Sequence, residues 1–381
     1  MEKLIKLKGR IDSSNASEVE KEINDEIGNH EGSLKVDVGA LEYISSAGLR
    51  IILRLKKKFS NTKIVNCLSE VYEIFDMTGF TEMMDISKAY REISVEGCEV
   101  IGEGANGIVY RTDPDTIVKV YKSPDSLEEI HNERRLARKA FVMGIPTAIS
   151  YDVVKVGEYY GAVFELLNAQ SFNKLIADGV PVEQLAKESV DILKIIHSKE
   201  LEPGELPSKR EEAVGWGEYV REHLPEDVGT KLVELFKDIP ETNTMLHGDY
   251  HIKNIMKQNG ENLLIDMDTL SMGHPIYEFA AIFAAYKGFS CYDPYNCSNF
   301  LGITVEQTQE FLDYTFKYYF EGESQEKIDE IIRMSEIICY TRIMRRQIKH
   351  FSVDDPEQKP VIDFCRNYLI ENVPVTDKLY Y

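Results

Sequence analysis

The spacing of apolar residues changes character several times along the chain. Leu4 to Asp12 alternates apolar and polar positions, which predicts a strand, and Ser13-Ser14-Asn15 follows with helix-capping chemistry. Apolar residues then recur at helical spacing (Val19, Ile23, Ile27) until Gly28-Asn29. Leu34–Val38 predicts a second strand, Ala47–Phe59 a helix carrying Leu49, Ile52, Leu53 and Leu55, and Lys63–Cys67 a third strand. Glu70–Met77 predicts one more helix before Gly79. Strands alternating with helices at this length make a small α/β domain.

From Val100 the pattern is strand, glycine turn, strand. Gly102-Glu103-Gly104-Ala105-Asn106-Gly107 could open a dinucleotide-binding helix, but Ile108-Val109-Tyr110-Arg111 is β-branched and aromatic, so the chain continues as a strand. Thr112–Asp115 supplies turn chemistry, and Thr116–Tyr121 alternates as the next strand. The prediction is a glycine-rich hairpin over phosphates, with Gly102, Gly104, Asn106 and Gly107 at the turn. Lys119 projects from the strand after it, and a lysine in an apolar strand needs an anionic partner if its head is buried. Leu127–Met143 predicts a helix with an apolar stripe of Ile130, Leu136, Ala137, Ala140 and Phe141. Glu133 shares that face and is the expected partner of Lys119; Glu129, one turn earlier, is the reserve choice. Beyond this, helical spacing runs over residues 183–197, 211–223, 228–237, 305–320 and 325–351.

The chemistry concentrates in His247-Gly248-Asp249-Tyr250-His251-Ile252-Lys253-Asn254 and, a short hairpin later, Leu264-Ile265-Asp266. An aspartate, an asparagine five positions on, and a second aspartate closing an apolar run suit phosphoryl transfer from ATP. Asp249 would orient a hydroxyl nucleophile and accept its proton. Asn254 and Asp266 would hold magnesium against the charge developing on the phosphates.

Residues from about 98 to 370 resemble the aminoglycoside phosphotransferase and choline kinase-like branch of the protein-kinase fold. The resemblance implies a catalytic base at Asp249, metal ligands at Asn254 and Asp266, and a phosphate-anchoring lysine at Lys119. It also implies a hinge at Val163–Leu167, where backbone groups of Glu165 and Leu167 would bind adenine. Ile265-Asp266-Met267-Asp268 followed by Gly273-His274-Pro275-Ile276-Tyr277-Glu278 departs from that family twice, since His274 and Glu278 stand where aspartate is usual. Glu278 would then brace the catalytic loop with a longer arm. Residues 1 to about 88 resemble the STAS domain of anti-sigma factor antagonists, through Tyr43-Ile44-Ser45-Ser46-Ala47-Gly48-Leu49. Ser46 occupies the position of that family's regulatory phosphoserine, and Ser45 replaces the aspartate that commonly precedes it. Phosphate at a helix start gains from free N–H groups and the macrodipole; the alternative is a plain N-cap serine.

Composition then narrows the setting. Six cysteines without metal-ligand spacing fit a reduced, cytoplasmic protein. No apolar run reaches membrane-spanning length, and the Met1 end lacks a signal-peptide core, so no membrane partner is expected. A net charge of −21 argues against non-specific nucleic-acid binding. Residues 1–95 hold 14 basic and 16 acidic side chains, so the kinase-like part carries nearly all the excess. An acidic lobe would suit a cationic small substrate, and ordinary solubility explains it equally. Arg342, Arg345, Arg346 and Lys349 form a basic helix face, expected to be solvated, the alternative being a contact with the acidic lobe or a substrate phosphate, while Trp216, Tyr219, Tyr318 and Tyr319 are expected in core or cleft wall.

The expected architecture is therefore a STAS-like α/β domain at 1–88, a short linker at 89–97, a β-rich kinase-like N-lobe at 98–168 and a mostly helical C-lobe at 169–381. Asp85–Val95 lacks a Pro/Gly/Ser-rich spacer, so the two domains are expected to pack closely. The expected activity is ATP- and Mg²⁺-dependent phosphorylation of a small-molecule hydroxyl, with the STAS domain as a regulatory or docking module; the residues do not separate ATP from GTP. HGD in place of HRD, and no A-P-E segment after Asp266, favour this over a standard protein kinase. Two alternatives remain: a signalling switch phosphorylating Ser46 or a partner of the STAS face, and a non-catalytic nucleotide-binding scaffold. Retention of Lys119, Asp249, Asn254 and Asp266 speaks against the last.

Overall fold

The computed structural model describes residues 2–104 and 106–381; Met1 and Ala105, the latter within the glycine-rich turn, lie outside them. Two compact units form: the first gathers the chain up to Thr112 with Val118–Ser126 and Asp152–Val163, the second Asp113–Ile117, Leu127–Tyr151 and Phe164–Tyr381.

The first unit begins with β1 (Glu2–Ile11), α1 (Ala16–Ile27), β2 (Ser33–Ile44), α2 (Ser46–Lys58), β3 (Thr62–Cys67), α3 (Ser69–Met77), the single turn α4 (Phe80–Met83) and β4 (Asp85–Lys88). The strands lie in the order β1-β2-β3-β4, and each neighbouring pair is parallel. Parallel neighbours require crossovers, and the helices between the strands supply them. Alternation works as the sequence predicts: Ile5, Leu7 and Ile11 are buried, while Lys6 and Lys8 are exposed. β2 outruns its expected end at Val38, because β1 keeps pairing with it as far as Ile44 across two register shifts.

A second, six-stranded sheet follows, ordered β5-β9-β10-β8-β7-β6. Its strands are β5 (Arg91–Glu92), β6 (Glu99–Glu103), β7 (Gly107–Asp113), β8 (Thr116–Tyr121), β9 (Asp152–Val156) and β10 (Tyr159–Glu165). Arg91 and Glu92, inside the stretch expected to be linker, pair in parallel with Val154 and Lys155. Only Ala89 and Tyr90 separate β4 of one sheet from β5 of the other.

The second unit holds α5 (Leu127–Val142), β11 (Gln170–Ser171), α6 (Phe172–Ala177), α7 (Val182–His197), α8 (Lys209–Arg221), α9 (Glu226–Asp238) and β12 (Met245–Leu246). The hairpin β13 (Ile255–Gln258) and β14 (Glu261–Leu264) comes next, then β15 (Ser271–Met272), α10 (Ile276–Tyr286), α11 (Asn296–Leu301), α12 (Val305–Tyr319), α13 (Gln325–Phe351) and α14 (Lys359–Asn372). α10 lies deep in this unit, with Phe279, Phe283 and even Glu278 fully buried. Phe141, expected on the buried stripe of α5, is 54% exposed in the last turn of the helix, beyond the buried run that ends at Ala140. Among the described residues no helix is long and apolar enough to cross a membrane.

Candidate active site

His247–Asn254 connects β12 to β13 and is fastened on every side. Glu278, projecting from α10, accepts the amide of His247 at 2.5 Å and that of Gly248 at 2.9 Å through its two carboxylate oxygens. Thr269 Oγ1 donates to the His247 carbonyl at 2.7 Å, and the Ile252 amide donates to the Tyr286 hydroxyl at 3.0 Å. The Tyr250 hydroxyl donates to the Ser189 carbonyl of α7 at 2.6 Å. Gly248 has φ +86°, and a Cβ there would lie 2.6 Å from the Thr269 carbonyl oxygen, so this turn accepts only glycine. Burial pushes the Glu278 carboxyl up, but His197, His247 and the Gly248 amide outweigh it and hold it below its ordinary value. Burial likewise lowers the His247 imidazole and keeps it neutral.

Held this way, the loop presents Asp249 with its side chain 48% exposed and His251 Nε2 at 3.5 Å from Oδ2. Burial raises the Asp249 carboxyl, yet the His251 hydrogen bond and the fields of His251, His247 and Arg342 bring it below the ordinary value. It is therefore an ionised acceptor at neutral pH, suited to orient a hydroxyl and take its proton late. Asn254 is buried, and its Nδ2 donates to the Asp249 carbonyl at 2.9 Å. With the amide nitrogen so engaged, the Asn254 Oδ1 is the atom left to act as a ligand. The Asn254 carbonyl accepts from the Ile265 amide at 3.0 Å, which places the residue before Asp266 beside it. Asp266 has φ +66°, a left-handed conformation that aspartate tolerates better than most residues. Pro146 and Thr147 bind Leu264 at the end of β14, fixing the approach to Asp266 from the α5 side.

In the first unit, β6 and β7 pair antiparallel with Glu103 opposite Ile108, so the glycine turn is a hairpin and opens no helix. Gly104 closes it by donating to the Gly107 carbonyl at 2.9 Å, and Lys122 grips both Glu103 and the Gly104 carbonyl. A Cβ on Gly107 would meet the Val120 carbonyl oxygen at 2.8 Å; glycine lets β7 and β8 approach. Asn106 accepts from the Lys122 amide through its carbonyl. Lys119, half-buried on β8, holds its ammonium 5.0 Å over the Tyr121 ring.

Comparison with known proteins resolves what these parts belong to. A family model for the phosphotransferase enzyme family matches residues 97–297, more than half of the 381. The chain belongs to that family. Two solved structures share its fold at 14% identity and a TM-score of 0.50: an aminoglycoside phosphotransferase, APH(2'')-Ib, with ADP bound, covering 81% of this chain and 99% of its own, and a GDP complex of a mutant aminoglycoside 2'-phosphotransferase, covering 80% and 97%. The STAS domain model matches residues 3–93. Over 87 residues this part is 32% identical to a Bordetella bronchiseptica protein named "Putative anti-sigma factor antagonist BtrV", covering 22% of this chain and 75% of that protein.

In this phosphotransferase Glu133 is buried on α5 whereas Glu129 is exposed. Glu165 ends β10, and the next amide, Leu166, donates to the Asp115 carbonyl at 2.9 Å, which fixes the run to Leu167. Ser45, not Ser46, caps α2, accepting from the Ala47 amide at 3.2 Å; Ser46 is the first helical residue and is exposed. The basic face of α13 is not simply solvated, since Arg342 lies 5.8 Å over Trp216 and its charge reaches Asp249. Trp216 is core, and Tyr219 is exposed. Sequence reasoning passed over His251 and His197: the first sits two residues from Asp249, where spacing alone could have flagged it, and the second has no local signal.

Proposed function

We propose that this phosphotransferase moves the γ-phosphate of ATP or GTP to the hydroxyl of a small molecule, with Asp249 as the base. The observation that carries this reading is the Asp249 carboxylate: ionised, half-exposed, and mounted on a loop whose backbone is locked by Glu278 and whose carbonyl is held by Asn254. Relatives of the same fold with ADP and GDP bound support nucleotide use and leave the base open. Gly102, Gly104, Asn106 and Gly107 would cover the phosphates, Lys119 would anchor them and pair with Glu133, and backbone groups of Glu165 and Leu167 would hold the base. Asn254 Oδ1 and the Asp266 carboxylate are hard oxygen donors of the kind magnesium takes. When bound there, the ion would neutralise phosphate charge. The test is a panel of hydroxyl compounds with Mg-ATP and Mg-GTP. Asp249→Ala is expected to cut transfer by about 10²–10⁴-fold with nucleotide affinity retained; full turnover in that variant removes the assignment.

A second reading has one observation in its favour. Ser46 is exposed at the first turn of α2 and is spared the capping duty by Ser45. In this reading the STAS domain docks a protein partner and the kinase part phosphorylates Ser46 or that partner. Mass spectrometry after incubation with Mg-ATP decides the first version, which an unmodified Ser46 rules out.

A further inference from the structure

The helix α7 holds the candidate active-site segment through two neighbouring residues, on either side of Asn254. The first is Ser189, whose carbonyl accepts from the Tyr250 hydroxyl at 2.6 Å, upstream of Asn254. The second is Glu188, whose partners lie downstream. Lys257 Nζ, on β13, donates to Glu188 Oε1 at 2.8 Å and to Oε2 at 2.7 Å. Asn262 Nδ2, on β14, donates to Oε2 at 3.0 Å, and Gln184 Nε2, one turn back on α7, donates to Oε1 at 3.0 Å. Lys257 and Asn262 stand opposite each other in the hairpin register, so one carboxylate binds both halves of a single rung.

An isolated, exposed ion pair adds little. Here the Glu188 and Lys257 side chains are only 23% and 25% exposed, and both carboxylate oxygens carry charge-assisted bonds. Burial raises the Glu188 carboxyl, yet the hydrogen bonds from Lys257, Gln184 and Asn262 hold it below its ordinary value. The hairpin it grips begins and ends at the candidate ligands. Asn254 precedes β13, Asp266 follows β14, and the Asn254 carbonyl takes the Ile265 amide at 3.0 Å. At the rise of an extended strand, the gripped rung lies about 10 Å along the chain from Asn254 and about 13 Å from Asp266. Two such short strands are marginal by themselves. β11 pairs with β13, and Pro146 and Thr147 bind Leu264 at the end of β14, whereas Glu188 joins both strands at once. We infer that Glu188 is a positioning residue for Asn254 and Asp266: it clamps the hairpin to α7 and fixes where these two stand relative to the loop. The inference rests on the reading above, in which these two residues hold magnesium.

The test compares ADP affinity of the full chain in magnesium and in EDTA. Wild type is expected to bind ADP more tightly with magnesium, and Asn254→Ala to lose most of that gain. Glu188→Gln keeps the size of the side chain but turns an N–H towards its donors. It is expected to raise the Mg-ADP dissociation constant about tenfold, the scale of a residue supporting a metal ligand, and to leave metal-free affinity unchanged. Without metal or nucleotide, exchange of the Ile265 amide should speed about fivefold, the equivalent of one ordinary hydrogen bond, with His247 and Gly248 unaffected. Lys257→Met should act in the same direction, and the double variant should fall short of the two effects combined, because both remove one contact. Glu183→Gln, on the same helix but paired with Lys317, should change neither readout. A wild type indifferent to magnesium, or Asn254→Ala with the full gain, removes the metal reading and this proposal with it. Where those two behave as expected, an unchanged Mg-ADP dissociation constant in Glu188→Gln overturns the proposal alone. An equal loss of metal-free affinity, or faster exchange spread over the whole unit, does the same, since either marks a general loosening.

Discussion

His274 does with a ring nitrogen what an aspartate oxygen does at a helix start: Nδ1 takes the Ile276 amide as α10 begins. The substitution has a thermodynamic signature. Burial lowers its imidazole from 6.5 to about 4, so the folded protein keeps His274 neutral while the unfolded chain protonates it. Between those two values the unfolded state binds more protons, and stability falls as pH falls. The contribution is complete above pH 6.5, declines through the interval and levels off below about 4. The full effect is on the order of 3 kcal/mol. His274→Asn keeps an acceptor for Ile276 and removes the titration. Urea unfolding of both proteins from pH 7.5 to 4.5 is expected to show their stability difference shrinking or reversing towards acid; a difference independent of pH contradicts the assignment.

At the level of elements, the candidate active-site loop is a tight turn held by its neighbours. Gly248→Ala must place a Cβ at φ +86° within 2.6 Å of the backbone oxygen of Thr269. Neither partner is a flexible side chain, so the turn must open, at a cost of about 2–4 kcal/mol. Opening it also breaks the Gly248 amide's bond to Glu278. The expected result is a protein that loses this stability in thermal unfolding and loses turnover beyond what unfolding accounts for; unchanged thermal stability would mean the loop is less constrained than its contacts indicate. The same elements show what a sequence can reveal. β8 and α13 are legible to the residue, because strand alternation and caps are local. Asp249, Asn254 and Asp266 are legible because five residues and one hairpin connect them. α10 is not, since apart from Glu278 its side chains are apolar or aromatic and no polar face sets a period. His197 and Tyr319 are 122 residues apart and meet only through the packing of α7 against α12, which no spacing rule encodes.

At the scale of the whole molecule, the STAS sheet and the six-stranded sheet after it are joined by a short junction. It is two residues long and tied on both sides. Lys88 lies 4.0 Å over the Tyr72 ring of α3, and the Ala89 amide donates to the Cys67 carbonyl at 2.8 Å. On the other side Tyr90 meets Tyr160 of β10 edge-on at 5.3 Å, Arg91 reaches Asp152 at 3.2 Å, and the Ile93 amide donates to the Lys155 carbonyl at 3.0 Å. Arg91–Asp152 is exposed and adds little by itself, so the coupling rests on the backbone pairing and the ring contact. With only Ala89 and Tyr90 between the edge strands β4 and β5, fraying of one edge strand pulls on the other. The STAS domain and the six-stranded sheet are therefore expected to unfold in one calorimetric transition. Inserting Gly-Ser-Gly-Ser between Ala89 and Tyr90 leaves each of these contacts able to form but lets each sheet fray alone. That variant should show two transitions, and any effect of a STAS partner on phosphotransfer should weaken with it. A single transition that survives the insertion would place the coupling elsewhere than at the strand junction.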